Sequence, residues 1–141
     1  MSEPTLTCSL LCEDVLPSRW IDDRLTLYRA VSDLSAGSFP ARAYRLFGVN
    51  LWRGGHGEYV DRTRILTPSA QVAAEAEGSF TATPGGHHAQ IFRFDDLWLP
   101  EPGAYALEVY RNGKLVLTYT IAVSDEPMAS FGTPLDATQE Q

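Results

Sequence analysis

Three histidines, His56, His87 and His88, are the side chains of this sequence best suited to hold a metal ion. A metal site needs several imidazole, thiolate or carboxylate ligands at compatible spacing. Since neighbouring residues of a strand point to opposite faces, His87 and His88 would diverge, and no Cys or carboxylate stands at a fixed spacing from them. We interpret all three as turn residues and expect neither a metal nor another cofactor.

Three acidic doublets are the next candidates: Glu13-Asp14, Asp22-Asp23 and Asp95-Asp96. Paired carboxylates can bind a cation or hydrolyse a glycosidic bond. Isolated doublets in loops are more often solvated turn residues. The sequence also lacks a Gly-x-Ser-x-Gly elbow, a phosphate-binding glycine loop and a His-Glu-x-x-His pair. We therefore predict that the protein is not an enzyme and has no catalytic residues.

The two cysteines, Cys8 and Cys12, are four positions apart. In a strand this spacing separates them by about 13 Å, beyond the roughly 7 Å that a disulfide can bridge. We expect small, buried, unpaired thiols.

Composition limits the partners that the protein can have. The 141 residues are 44% hydrophobic and 21% charged, which is typical of one globular domain. Acidic residues give a net charge of -7 and the basic residues are scattered, so nucleic acid is not expected as a partner. No apolar run is long enough for a membrane helix and the N-terminus lacks a signal peptide. We expect a cytoplasmic protein without a membrane partner.

The elements that position these side chains are predicted to be strands. Short runs rich in β-branched and aromatic residues alternate with turn signals, and they predict seven or eight strands. The expected strands are 5–12, 24–34, 43–53, 58–67, 69–78 and 88–95, followed by a closing hairpin; Asp14–Ser18 is expected to be a loop. In 43–53 both faces are apolar, so this strand should be central, with Phe47, Val49 and Leu51 sharing one face and Trp52 on the other.

The closing hairpin, Gly103 to Val123, is the most specific fold signal. Gly103-Ala104-Tyr105 entering a strand resembles the tyrosine corner of immunoglobulin-like domains, where the Tyr hydroxyl binds the preceding turn. With a two-residue Asn-Gly turn, the apolar residues of the two strands would face opposite sides. We therefore predict a three-residue loop, Arg111 to Gly113, that pairs Leu107 with Leu117, and an immunoglobulin-like antiparallel β-sandwich.

Four aromatic residues are predicted to face outward and to form an interaction surface: Tyr28, Tyr44, Trp52 and Tyr110. Aromatic side chains are common in protein interfaces and can also stack on sugars. Alternatively, residues 13–23 or the C-terminal segment cover this surface within the chain.

Several segments resemble a bacterial family of small uncharacterised domains. They are Leu11-Cys12-Glu13-Asp14-Val15, Arg24 to Tyr28, Phe39-Pro40, Pro102 to Tyr105 and Asn112-Gly113, and the resemblance spans about residues 8–123. It implies a single sandwich domain with no assigned activity, so no site residues are carried over. Tyr28 and Arg29 stand where the relatives have a glycine-containing bend.

The sequence thus predicts one domain over residues 1–123, followed by a flexible tail over 124–141. The expected function is a non-catalytic protein-binding or assembly module, acting on a protein partner or by self-association through strand edges or the aromatic surface. The alternative is a domain that binds a small molecule or a carbohydrate through that surface.

Overall fold

A computed structural model describes residues 2–17 and 25–125, without the side chains at 16, 17, 25, 26 and 28. These residues form nine strands and no helix, so the predicted number of seven or eight strands was too low. The strands are β1 (Thr5–Pro17), β2 (Leu25–Val31), β3 (Asp33–Ser35), β4 (Ala41–Arg53), β5 (Gly57–Leu66), β6 (Val72–Ala82), β7 (His87–Leu99), β8 (Gly103–Arg111) and β9 (Lys114–Ser124). Accordingly, none of the described segments is a helix that could cross a membrane.

The strands form two sheets, with orders β2-β1-β4-β7 and β3-β9-β8-β5-β6. The all-β, immunoglobulin-like sandwich is confirmed: β5, β8 and β9 lie together as strands C, F and G do in such domains, and β1, β4 and β7 lie in the other sheet. Within the described residues every pair is antiparallel except β3 with β9, which is parallel.

Two boundaries near the N-terminus differ from prediction. The segment expected to be a loop after Cys12 continues β1 to Pro17, because Asp14 and Val15 pair with β2. The predicted strand 24–34 divides at Ser32, and its two parts enter different sheets. Residues 18–24 lie outside the described part of the chain, and so do 126–141, which contain most of the predicted tail.

The strand β4 is central and buried on both faces, as predicted, but the face that meets the other sheet was predicted wrongly. Val49 and Leu46 are both buried, although they point to opposite sides. The side chains of Asn50 and Trp52 bond to β5 in the opposing sheet, so the side of Leu46 and Trp52 faces inward. Because both faces are apolar, alternation alone does not reveal which one meets the second sheet.

The buried face of β7 changes at Asp96, the residue that lies opposite Tyr44 of β4. On β7 the buried residues are Phe92 and Phe94 before this point and Leu97 after it, a spacing of three instead of two. The β4–β7 register does not shift, and Asp96 has a φ of 52°. The pleat is therefore interrupted here, and Tyr44 is exposed.

The β8–β9 hairpin has a two-residue turn, so the predicted three-residue loop is wrong. Arg111 pairs with Lys114, and Asn112 and Gly113 both have positive φ, as a type I′ turn requires. Asn112 donates its N–H to the Val60 carbonyl (2.9 Å), and its Oδ1 accepts from the Val60 N–H (2.8 Å). These bonds to β5 hold the turn.

A bulge in β9 places apolar residues of β8 and β9 opposite one another, as the predicted three-residue loop would have done. The register shifts between Val109 and Tyr110, leaving Val116 as an extra residue in β9, packed against the core. Beyond the bulge Val109 faces Leu117 and Leu107 faces Tyr119, instead of the predicted Leu107–Leu117 pair. The predicted inward face of β8, with Tyr105, is confirmed by its burial.

The tyrosine corner has the predicted bond. The Tyr105 hydroxyl donates to the Glu101 carbonyl at 2.6 Å and accepts from the Glu101 N–H at 3.3 Å. It thereby fixes the start of β8 to the turn before it.

Candidate functional site

The four aromatic residues predicted to form one surface are not on one surface. Trp52 is only 1% exposed and belongs to the core, so its prediction as a surface residue is wrong. Tyr44 lies in the four-stranded sheet and Tyr110 in the five-stranded sheet. The side chain of Tyr28 is outside the described residues. Two separate positions remain, Tyr44 and Tyr110.

Tyr110 is enclosed by charged neighbours on the outer face of the five-stranded sheet. The guanidinium of Arg62 lies 4.7 Å from its ring centroid, and the Tyr110 hydroxyl donates to Glu108 at 2.8 Å. Arg64 donates to the same Glu108 oxygen at 2.7 Å, and this interaction lowers the pKa of Glu108. The ring is half-buried and its polar neighbours already bind one another, which makes this a self-contained network.

Tyr44 stands at a cleft of about 620 Å³ at one end of the sandwich, and 78% of its surface is exposed. Glu13, Arg29 and Arg45 contribute charged groups to the lining. The Arg29 and Glu13 side chains lie 3.8 Å apart, and Arg29 adopts a φ of 58°, which lies in the left-handed region. An aromatic ring beside carboxylate and guanidinium groups could accept a polar small molecule.

The histidines and acidic doublets do not form one cluster. Their interpretation as turn residues is wrong for His87, His88 and Asp95-Asp96 in β7 and for Glu13-Asp14 in β1. His88 stacks on Phe80 with 4.7 Å between ring centroids and bonds Gln90 at 2.7 Å, whereas His56 and His87 are exposed. In the described part of the chain no three His, Cys, Asp or Glu side chains are close enough to share a metal ion. Asp22-Asp23 lies outside that part, and both cysteines are free thiols, with Cys12 buried and Cys8 half-buried.

A buried carboxylate that the sequence reasoning missed is the centre of a polar cluster between the sheets. Asp61 on β5 is 0% exposed. Its Oδ2 accepts from Asn50 Nδ2 and from Trp52 Nε1, both at 2.9 Å, and its Oδ1 accepts from the Thr63 hydroxyl at 3.0 Å. Burial raises the pKa of Asp61, against the opposing effect of these three donors. We call Asp61, Asn50, Thr63 and Trp52 the Asp61 cluster.

The Asp61 cluster extends to the edge of the sandwich. The Ser9 hydroxyl of β1 donates to Asn50 Oδ1 at 2.6 Å and lies 3.3 Å from the Tyr119 hydroxyl of β9. The chain of bonds therefore crosses from one sheet to the other. Asp61 has no solvent access and its side-chain bonds go to β4 and to Thr63 on its own strand, so it joins the two sheets. The signal in the sequence was the alternation of β5, which places Asp61 on the inward face with Ile65.

A further accessible feature is the outer edge of β9. Among the described residues, β3 covers this edge only from Ala122 onward, which leaves Lys114–Thr120 without a neighbouring strand. Leu115 and Leu117 in this stretch are 46% and 37% exposed. An uncovered edge presents backbone N–H and C=O groups that can pair with another strand. We call Lys114–Thr120 the free β9 edge.

The family follows from the sequence match. Residues 7–124 match the family described as "Family of unknown function (DUF6941)". The chain belongs to this family. The resemblance to a family of uncharacterised domains is thereby confirmed. Among curated proteins, no sequence matches this one.

The fold is similar to parts of larger solved structures. One is the alkylpurine DNA glycosylase AlkC from Pseudomonas fluorescens, bound to DNA containing an abasic site analogue, with a TM-score of 0.47, 9% identity, and coverage of 82% of this chain and 30% of the glycosylase. Another is a β-glucosidase from Listeria innocua in complex with isofagomine (TM-score 0.46, 12% identity, 77% of this chain and 19% of the enzyme). The chain thus spans less than a third of either enzyme.

An immunoglobulin-like protein from Pseudomonas aeruginosa is similar over most of both chains. The TM-score is 0.40 with 12% identity, and the match covers 86% of this chain and 97% of that protein. None of these similarities carries an activity over to this chain.

Proposed function

We propose that this protein is a non-catalytic protein-binding module that takes up an extended segment of a partner as an additional strand beside β9. The observation that carries the proposal is the free β9 edge with its two exposed leucines, Leu115 and Leu117. In strand addition, backbone hydrogen bonds supply affinity and side-chain contacts on alternate residues supply selectivity.

The construction of the sandwich supports this proposal. The β9 strand is anchored by its ladder to β8 and by the Tyr119–Ser9 contact to the other sheet, so its edge is presented by a rigid framework. A rigid, preformed edge reduces the entropy that binding would cost. The two free thiols agree with a site of action in the cytoplasm, which remains part of the proposal.

A peptide selection tests the proposal directly. A phage-displayed library of random linear peptides is selected on dilute protein, and the binders are mapped by amide chemical shifts. We expect peptides with alternating apolar residues, shifts centred on the free β9 edge, and loss of binding in Leu115→Lys. Val72→Lys is the matched control, since Val72 lies on the opposite edge strand β6 and is also 46% exposed. Binders that shift residues elsewhere, or that tolerate Leu115→Lys, would refute the proposal.

A second candidate function is the binding of a small molecule or a carbohydrate in the cleft beside Tyr44. It is favoured by the exposed ring next to the charged groups of Glu13 and Arg29. A glycan array, followed by titration of any binding sugar against Tyr44→Ala, tests it. No binding sugar, or equal affinity in the variant, would exclude a carbohydrate at this cleft.

A further inference from the structure

We propose that the partner strand on the free β9 edge is β9 of a second copy of this chain, so that the protein forms a twofold dimer with one continuous sheet across two subunits. This inference rests on the proposed function and names its partner.

The free β9 edge carries one charged residue, Lys114, at its start. Residues Leu115–Val123 contain no charged side chain, although 21% of the whole chain is charged. Every other edge strand in the described residues carries at least one charge: Arg29 on β2, Asp33 on β3, Glu75 and Glu77 on β6, and Arg93, Asp95 and Asp96 on β7. Charges on edge strands prevent unwanted pairing, so the uncharged residues that follow Lys114 on the edge of β9 are suited to pairing.

The uncharged surface continues from the five-stranded sheet to the four-stranded sheet. In the four-stranded sheet, β2 covers β1 only from Leu11 onward, so Thr5–Leu10 is also a free edge among the described residues, and it too has no charge. The Ser9–Tyr119 contact shows that the two free edges lie side by side. A second sandwich approaching this side would meet both layers, which makes a larger interface than one strand alone.

The net charge of the chain favours this uncharged side as the contact between two copies. The net charge of -7 means that two copies repel one another wherever their acidic surfaces face. Contact through the uncharged side keeps those surfaces apart. In a twofold arrangement the same edge serves both subunits, so no other complementary surface is needed.

The geometry places the twofold axis close to Thr118, the midpoint of Leu115–Ile121, which are the uncharged residues of β9 before its pairing with β3 begins at Ala122. Full overlap of two antiparallel copies of this stretch requires the axis at its midpoint. The bulge at Val116 lies near one end of this stretch, and the β8–β9 register is regular from Leu117 to Val123, which includes both sides of Thr118. The Thr118 side chain is exposed, so substitution there leaves the core unchanged.

Sedimentation equilibrium over a wide concentration range tests the dimer. We expect the wild-type chain to approach twice its monomer mass of 15.6 kDa at high concentration. Thr118→Lys places two lysines beside the axis and should raise the dimer dissociation constant at least about tenfold, equivalent to about 1.4 kcal/mol. Ser79→Lys is the matched control, because Ser79 is an exposed hydroxyl residue on the edge strand β6.

An equimolar mixture tests the symmetry. Thr118→Lys mixed with Thr118→Glu should recover the dimer, since opposite charges then meet at the axis. A wild-type monomer at all concentrations, a dimer that tolerates Thr118→Lys, or a mixture that does not recover would each overturn the dimer. A monomer that still binds selected peptides on β9 overturns the dimer alone, whereas a monomer that binds none overturns the proposed function as well.

Discussion

Replacing Asp61 is the sharpest test of how the two sheets are held together. In Asp61→Ala the Trp52 indole N–H and the Thr63 hydroxyl lose their only acceptor in the cluster. Asn50 Nδ2 loses one of its two bonds and keeps the other, to Thr63 Oγ1 at 2.8 Å. Each buried donor left without a partner costs about 1–3 kcal/mol, so two donors cost about 2–6 kcal/mol.

Asp61→Asn is the control for this substitution. The amide oxygen can still accept from Asn50 and Trp52, and the Thr63 hydroxyl can turn to accept from the new amide. We expect Asp61→Asn to be more stable than Asp61→Ala by at least about 1 kcal/mol. Urea unfolding followed by tryptophan fluorescence gives both free energies. A cost below about 1 kcal/mol for Asp61→Ala, or equal costs for the two variants, would refute the role assigned to the cluster.

The free energy of unfolding of the wild type, compared with that of Asp61→Asn, should also depend on pH. Burial raises the pKa of Asp61 in the folded chain above its ordinary value of 3.8. Between the two values the folded state holds a proton that the unfolded state has lost, so stability falls as pH rises through this window and then becomes constant. Asp61→Asn has no such proton. The free energy of unfolding of the wild type relative to Asp61→Asn should therefore fall with rising pH above about 3.8, and a constant difference would contradict the assignment.

Three further predictions concern the fold. Tyr105→Phe removes both bonds to Glu101 and should lower the free energy of unfolding by about 1–2 kcal/mol in urea titrations, whereas an unchanged value would mean that the corner contributes nothing. Gly113→Ala should cost about 1 kcal/mol because its φ is 80°, while Gly37→Ala, at an uncrowded position without positive φ, is the control and should cost less. Glu108→Gln should be about 0.5–1 kcal/mol less stable than the wild type at neutral pH, and this difference should disappear as pH falls below 4.5 through the lowered pKa; a constant difference would argue against the ion pair.

Much of the fold was predictable because strand formation and burial leave local marks. The alternation of β8 identified Tyr105, Leu107 and Val109 as inward residues, and their burial confirms it. The Gly103-Ala104-Tyr105 step identified the tyrosine corner. These features depend on one strand and the turn before it, so neighbouring residues in the sequence suffice to specify them.

The candidate site was less predictable because it depends on which strands lack neighbours. The exposure of Leu115 and Leu117 follows from the shortness of β3, which covers β9 only at its end. The role of Asp61 follows from three donors on β4 and β5 that meet only in the folded chain. The residues next to an aspartate in a strand do not indicate which hydrogen-bond donors it will meet in the folded chain.

The sequence by itself determined an all-β chain, its tyrosine corner and the inward face of β8, because strand periodicity is a property of consecutive residues. Only the tertiary structure decided that Trp52 faces the core and that an Asn-Gly turn is followed by a bulge at Val116. The physical reason is the same in both cases. Where both sides of a strand are apolar, or where one added residue can reverse its faces, the packing of the other sheet selects the arrangement.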